Sequence, residues 1–372
     1  MLKADNIGVL ITGKRINQSN KELLDAARLM NEGDDYSVTI LSRKSRKIRR
    51  FAEEAGLNTC SLKKIIDQRD FNASLKFSEL LKEEEISTII FRDFESTGLL
   101  VSTKFLLKGR LRLVLVQDQH LSDIDTDVLS TFRFNQIDAW VTPVNHTANS
   151  VKALTNLSPR KIHVFSMPVP RKPFSFDEDD RNIRKTILFE HPNYITVGWS
   201  VPRRRDLLQR TGRSILQLLR MGTGVKICLN LRYHSEGEFF AEIPELKSFS
   251  KEIIVTEFDT QDADMYGHLD FLFVDVELEP FSGIVNRAII AEVVPIASKS
   301  LVSNELLLNG ELGILTSELG TEPVPRNLSE STILSEFRSR LNDYVGFQFT
   351  KKRFKENLEA LLESLPAKAD AR

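Results

Sequence analysis

The chain has 372 residues, too many for one ordinary core and enough for two domains that each bury most of their apolar surface. Lys+Arg 51 against Asp+Glu 52 gives no global basic field for nonspecific nucleic-acid binding and no acidic block suggesting a solvating tail. Cys60 and Cys228 lie far apart without metal-ligand spacing, which argues against a disulfide framework or structural zinc and for a reducing, cytoplasmic home.

The amino terminus lacks a charged-then-apolar signal pattern, and no apolar run approaches the roughly 20 residues that span a bilayer. Peripheral membrane contact stays open; a span does not. Short β-branched runs then follow in chain order: "NIGVLIT" from Asn6, "SVTILS" from Ser37, "STIIFR" from Ser87, "RLVLVQ" from Arg112, "DAWVTP" from Asp138 and "KIHVFS" from Lys161. Each is too short for a helix and reads as a buried strand. Between them lie amphipathic stretches such as "NKELLDAARLMNEG", where Leu23, Leu24, Ala27 and Met30 share a face and Gly33 supplies a stop. That alternation predicts a parallel sheet covered by helices.

The second half repeats the plan, with strands at "YITVGW" from Tyr194, "VKICLNL" from Val225, "EIIVTE" from Glu252, "LDFLFVD" from Leu269 and "VVPIAS" from Val293. Prolines and like charges between Pro168 and Lys185 break both periods and mark the join. The expected organisation is two tandem doubly wound α/β domains, 1–172 and 191–328, joined by a linker at 173–190. Helices alone follow over 329–372.

In open parallel sheets ligands sit outside the carboxyl ends of the strands, so function is sought at strand exits, in a cleft between the two units. "ELEPFSGIVNRAIIAEVVPIAS", from Glu277, is such an exit. Glu279 can accept hydrogen bonds from two hydroxyls, and Ser282 and Gly283 open a helix whose unpaired N–H groups and dipole favour a phosphate. The exit "VGWSVPRRRD" adds Arg203, Arg204 and Arg205, whose guanidinium forks match a diphosphate. Phosphate partners on one side and sugar partners on the other are what a nucleotide sugar needs. A bland reading stands beside each: Glu279 as a helix cap, the arginines as a solvated turn, Arg287 as the partner of a nearby carboxylate.

The order and spacing resemble retaining GT-B glycosyltransferases of the family 4 type, with a degenerate pair of glutamates. "DFLFVDVELEPFSGIVNRA" keeps the family's interval from Asp270 to the first glutamate at Glu279 and keeps Phe281 and Ala288. "VPIASKSLVSNELLLNGELGILTS" is similar to the family's following strand and acidic turn, with Glu305, Gly310 and Gly313 in place. The departures are concentrated at chemical positions. Arg287 stands where a second glutamate would hold the ribose, Ser282 replaces a glycine, and Trp199 replaces the phosphate-binding arginine after Gly198. Arg204 falls at the family's lysine and preserves its charge. Gln117 stands at a histidine position near the reacting centre, whereas Asp118 is kept and His120 lies close.

The resemblance implies a GT-B fold of two Rossmann-like domains, with the last helices crossing back to the first, and transfer of a sugar from a nucleoside-diphosphate donor with retention. It places Asp118, His120 and Glu279 at the reaction. Gly198, Arg203, Arg204, Glu279, Ser282, Gly283 and Arg287 fall on the donor, and Lys14 and Arg15 line the acceptor side. It needs no metal and no cofactor beyond the nucleotide-sugar substrate, and leaves the acceptor open among glycan, lipid-linked and protein molecules. A catalytically silent GT-B subunit that binds a partner enzyme or glycan is the alternative, with a nucleotide-sugar epimerase ranked last.

Overall fold

A computed structural model describes residues 5–13, 18–32, 36–43, 45–62, 71–117, 127–169, 174–191, 193–201, 205–221, 224–231, 234–256, 263–274, 281–317 and 331–366. The chain divides into two compact units, Met1–Val169 with Lys351–Arg372, and Pro170–Thr350.

The first unit runs β1 (Asp5–Ile11), α1 (Gln18–Asn31), β2 (Tyr36–Ser42), α2 (Arg46–Glu54), β3 (Asn58–Ser61), α3 (Phe71–Glu83) and β4 (Thr88–Phe91). It continues with α4 (Thr97–Leu106), β5 (Arg112–Val116), α5 (Val128–Asn135), β6 (Ala139–Thr142), α6 (Asn145–Leu154) and β7 (Ile162–Val164). The seven strands form one parallel sheet in the order β3-β2-β1-β4-β5-β6-β7. Strand alternation sends side chains to two cores. Ile90, Val114 and Val116 pack toward α1 and α2, while Ile89, Phe91, Leu113 and Leu115 pack with Phe77 of α3 and Leu100 of α4.

The second unit contains α7 (Glu178–Phe189), β8 (Ile195–Ser200), α8 (Arg205–Met221), β9 (Val225–Asn230), α9 (Glu236–Glu242), β10 (Ile253–Thr256), α10 (Ala263–Gly267) and β11 (Phe271–Phe273). After it come α11 (Phe281–Ile290), β12 (Val294–Ser298), α12 (Leu301–Leu306), β13 (Ile314–Thr316) and α13 (Ser331–Gln348). Its six-stranded parallel sheet has the order β10-β9-β8-β11-β12-β13. The final helix, α14 (Lys351–Ser364), belongs to the first unit. Its stripe of Phe354, Leu358 and Leu361, at three- and four-residue spacing, and Leu365 just past its end complete the core over α1 and β4.

Three boundaries differ from the sequence reading. The segment read as a linker, 173–190, holds α7: Asp177 caps it by accepting from the Asp180 backbone N–H at 2.8 Å, and Glu178, Asp179 and Asp180 suit the positive end of its dipole. The like-charge run that looked like an interruption is therefore a helix start. The terminal helices divide, α13 lying in the second unit and α14 in the first. Strands β3 and β13 went unforeseen; both are short edge strands, and "NTCS" has no apolar run because most of it is exposed.

Candidate functional site

Each sheet has one point where its strand order reverses, between β1 and β4 in the first unit and between β8 and β11 in the second. At such a point the connections leave in opposite directions and open a crevice at the carboxyl ends. In the second unit Trp199 pairs with Phe273 in register, so β8 and β11 end side by side at the same sheet edge. The chain then enters α8 at Arg205 and α11 at Phe281.

Ser282 and Gly283 occupy the second and third positions of α11, in the turn whose backbone N–H groups have no intrahelical acceptor. Arg287 lies one turn beyond Gly283 on the same face, with its side chain only 2% exposed. Glu279, Arg203, Arg204, Asp118, His120, Lys14 and Arg15 lie outside the described residues. Of the basic triplet, Arg205 is described: it opens α8 and its Nε donates to Glu242 Oε2 of α9 at 2.6 Å.

Packing accounts for two residues of the β8 exit, Gly198 and Trp199. Gly198 is an interior β8 residue paired with Cys228 on one side and Leu272 on the other. The space over its Cα is closed by core side chains, since a Cβ there would sit 2.5 Å from Leu269 Cδ1 and 2.9 Å from Leu272 Cδ1. It is glycine for packing. Trp199, at the position of a phosphate-binding arginine, is buried, and its ring meets Phe239 edge-on at a centroid distance of 5.6 Å. Gln117 is likewise buried, and its Oε1 accepts the Trp140 indole N–H at 3.1 Å beneath Phe94 and Phe134.

The amino ends of both sheets are fixed by buried aspartates. Asp270, immediately before β11 and 1% exposed, accepts from Lys185 Nζ of α7 at 2.5 Å, Arg338 Nη2 of α13 at 2.9 Å, and the Thr196 backbone N–H of β8 at 2.9 Å. Arg181, one turn before Lys185 on α7, donates to the carbonyls of Leu269 and Ala291. In the first unit Asp138, immediately before β6, accepts from Lys104 Nζ at 2.6 Å and from the Leu113 backbone N–H of β5 at 2.8 Å. These groups sit at the strand starts and hold the frame.

The sequence reading missed one feature at the first unit's reversal point. Arg92 directly follows β4 and is 7% exposed; its Nη2 donates to Glu22 Oε2 of α1 at 2.6 Å. Its Nε and Nη1 are also buried and meet no hydrogen-bond partner among the described residues. The signal was the arginine closing "STIIFR", which was absorbed into the strand.

No family model matches the sequence, and no curated protein sequence matches it significantly. Solved structures resemble it along nearly its whole length. Anabaena HepE in complex with UDP and glucose is 13% identical, with a TM-score of 0.77 over 96% of this chain and 99% of that one. A glycosyltransferase from Rickettsia africae is 12% identical, with a TM-score of 0.75 over 97% and 98% of the two chains. A putative UDP-N-acetylglucosamine 2-epimerase from Listeria monocytogenes is 10% identical, with a TM-score of 0.64 over 97% and 96%. At these identities the likeness is one of fold, and the fold is GT-B.

Proposed function

We propose that this chain is a glycosyltransferase that moves a sugar from a nucleoside-diphosphate donor to an acceptor, with retention of configuration. The observation that carries the reading is the end-to-end fold similarity to HepE, whose structure in complex with UDP-glucose superimposes with a TM-score of 0.76 over 97% of this chain and all of that one. The reversal point of the second sheet supports it, because β8 and β11 end together and α11 begins just beyond. In this reading the first turn of α11 presents N–H groups to the donor phosphates, Arg203 and Arg204 neutralise them, and Glu279 holds sugar hydroxyls. Lys14, Arg15, Asp118 and His120 serve the acceptor side. Charge on the leaving diphosphate is met by guanidinium groups and a helix terminus, so the proposal requires no metal.

A second reading, a catalytically silent subunit of the same fold, is favoured by Gln117 being tied to Trp140, by Trp199 being a core residue and by Arg287 being buried. Calorimetry with UDP-, GDP- and dTDP-sugars separates the two. The transferase predicts binding of one donor, weakened about tenfold or more by Arg204→Ala and by Glu279→Ala, the scale of one lost charge-assisted contact. Indifference to the whole panel favours the silent subunit. Conversion of UDP-N-acetylglucosamine into its 2-epimer without acceptor would replace both.

A further inference from the structure

Arg92 is a guanidinium placed where ligands enter an open parallel sheet, with most of its hydrogen-bonding capacity unused among the described residues. It is the first residue after β4, at the β1–β4 reversal point, and its side chain is more than nine-tenths buried. Glu22 engages Nη2, while Nε and Nη1 are sealed from solvent without an acceptor among the described residues. Burying donors in this way is unfavourable unless something accepts from them, and native interiors leave few such groups.

The carboxylate next to Arg92 in sequence and the one a turn beyond Glu22 on α1 are engaged elsewhere. Asp93, the next residue, is used by its own turn: its carboxylate accepts the Glu95 backbone N–H and the Ser96 hydroxyl, each at 2.9 Å. Asp25, one turn after Lys21 on α1, is held by Lys21 Nζ at 2.6 Å. Among the described residues one carboxylate thus meets a cation that has donors to spare, an arrangement that admits a second anion. A planar fork of N–H groups is matched by the two oxygens of a phosphate or carboxylate.

We infer that Arg92, backed by Glu22, is an oxyanion-binding site in the first unit that takes a phosphate or carboxylate group carried by the acceptor. Its assignment to the acceptor rests on the transferase reading above; the anion site itself does not. Glu22 orients the fork and moderates its charge, so that the anion is held and still released.

The test uses the full chain and calorimetric titration with inorganic phosphate, with glucuronate and, separately, with UDP. The expected result is that wild type binds phosphate or glucuronate, the tighter of the two identifying the source. Arg92→Gln should weaken that binding about tenfold or more. Glu22→Gln, which keeps a hydrogen-bond acceptor and removes the negative charge, should tighten it. UDP affinity should be the same in all three. If Arg92→Gln does not fold, the Glu22→Gln arm still decides, because a purely structural ion pair predicts lower stability and no gain in anion affinity. Absence of anion binding to wild type, or affinities unmoved by either change, would overturn the inference. Failure of wild type to bind any member of the UDP-, GDP- and dTDP-sugar panel would instead sink the proposed function and leave the anion site standing.

Discussion

Replacing Asp270 by alanine removes the acceptor on which two cations, a strand backbone and a threonine hydroxyl converge. Lys185 at 2.5 Å and Arg338 at 2.9 Å lose their carboxylate, and the Thr196 N–H, at 2.9 Å, loses its acceptor, while the Thr196 hydroxyl keeps the His268 carbonyl. Lys185 is only 9% exposed, so its charge is left in the interior without compensation. Breaking a buried pair from one side costs about 3–5 kcal/mol, mostly as the desolvation penalty of the stranded charge. In a domain of this size 1 kcal/mol moves the melting point about 2–4 °C, so the second unit should melt about 6–20 °C lower. Calorimetry gives the shift, and hydrogen exchange assigns it, with protection falling in β8 and β11 and holding in β1 and β2. The control is Glu53→Ala, since the Arg49–Glu53 pair is 74% and 60% exposed at its two ends and its loss should be lost in the scatter. Adding Lys185→Met to Asp270→Ala should recover part of the drop by removing the stranded charge. A loss below about 1 kcal/mol, or one confined to the first unit, would refute the assignment of Asp270 as the anchor of this sheet.

Gly198→Ala should destabilise by about 1–3 kcal/mol through overpacking, measured in denaturant, and Leu269→Ala in the same chain should relieve it; loss of donor binding at unchanged stability would return Gly198 to the ligand. Burial lowers the pKa of His163, whose Nε2 meets Ser364 Oγ of α14 at 3.2 Å. The unfolded chain therefore binds that proton more readily, and stability of the first unit should fall as pH drops below about 6.5 toward the lowered value. His163→Asn should flatten this slope, and an unchanged pH profile would count against it. The Cys228 thiol, pushed up to about 12 by burial, should resist a thiol reagent at pH 8 until denaturant is added, whereas the half-buried Cys60 should react in the native chain.

The frame was legible because buried parallel strands leave a compositional mark that survives drift. Runs such as "RLVLVQ" and "YITVGW" are apolar on both faces, as a strand with helices above and below must be, and their order predicts the doubly wound sheets. Position along such a run could not reveal what each polar residue does. Gln117 and Trp199 sit at strand ends, where a ligand group and a core group look alike in sequence, and only packing against Trp140 and Phe239 separates them. Arg92 was invisible for the opposite reason: one arginine after three apolar residues reads as an ordinary strand end, and its partner Glu22 lies 70 positions away. The like-charge run 177–180 misled because acidic residues mark solvated linkers and helix starts equally well.

A polarity emerges when the buried charges of both units are placed on their strands. Asp138 and Asp270 each directly precede a strand, take a lysine from a flanking helix, and bind the backbone N–H at or near the start of the neighbouring strand. Both of those aspartates are met by lysines, so the amino edge of each sheet is cross-linked through them. At the carboxyl edge the balance differs. Arg92 keeps donors without an acceptor among the described residues, and the first turn of α11 keeps N–H groups that no intrahelical carbonyl can reach. Rigidity at one edge supports incompleteness at the other, because a cation that meets one carboxylate among the described residues, on a firm sheet, cannot rearrange to satisfy itself. Glu22→Gln is therefore the sharper probe of this division than any change at Asp270: it touches a buried pair, yet it should increase anion affinity where an anchor would only lose stability.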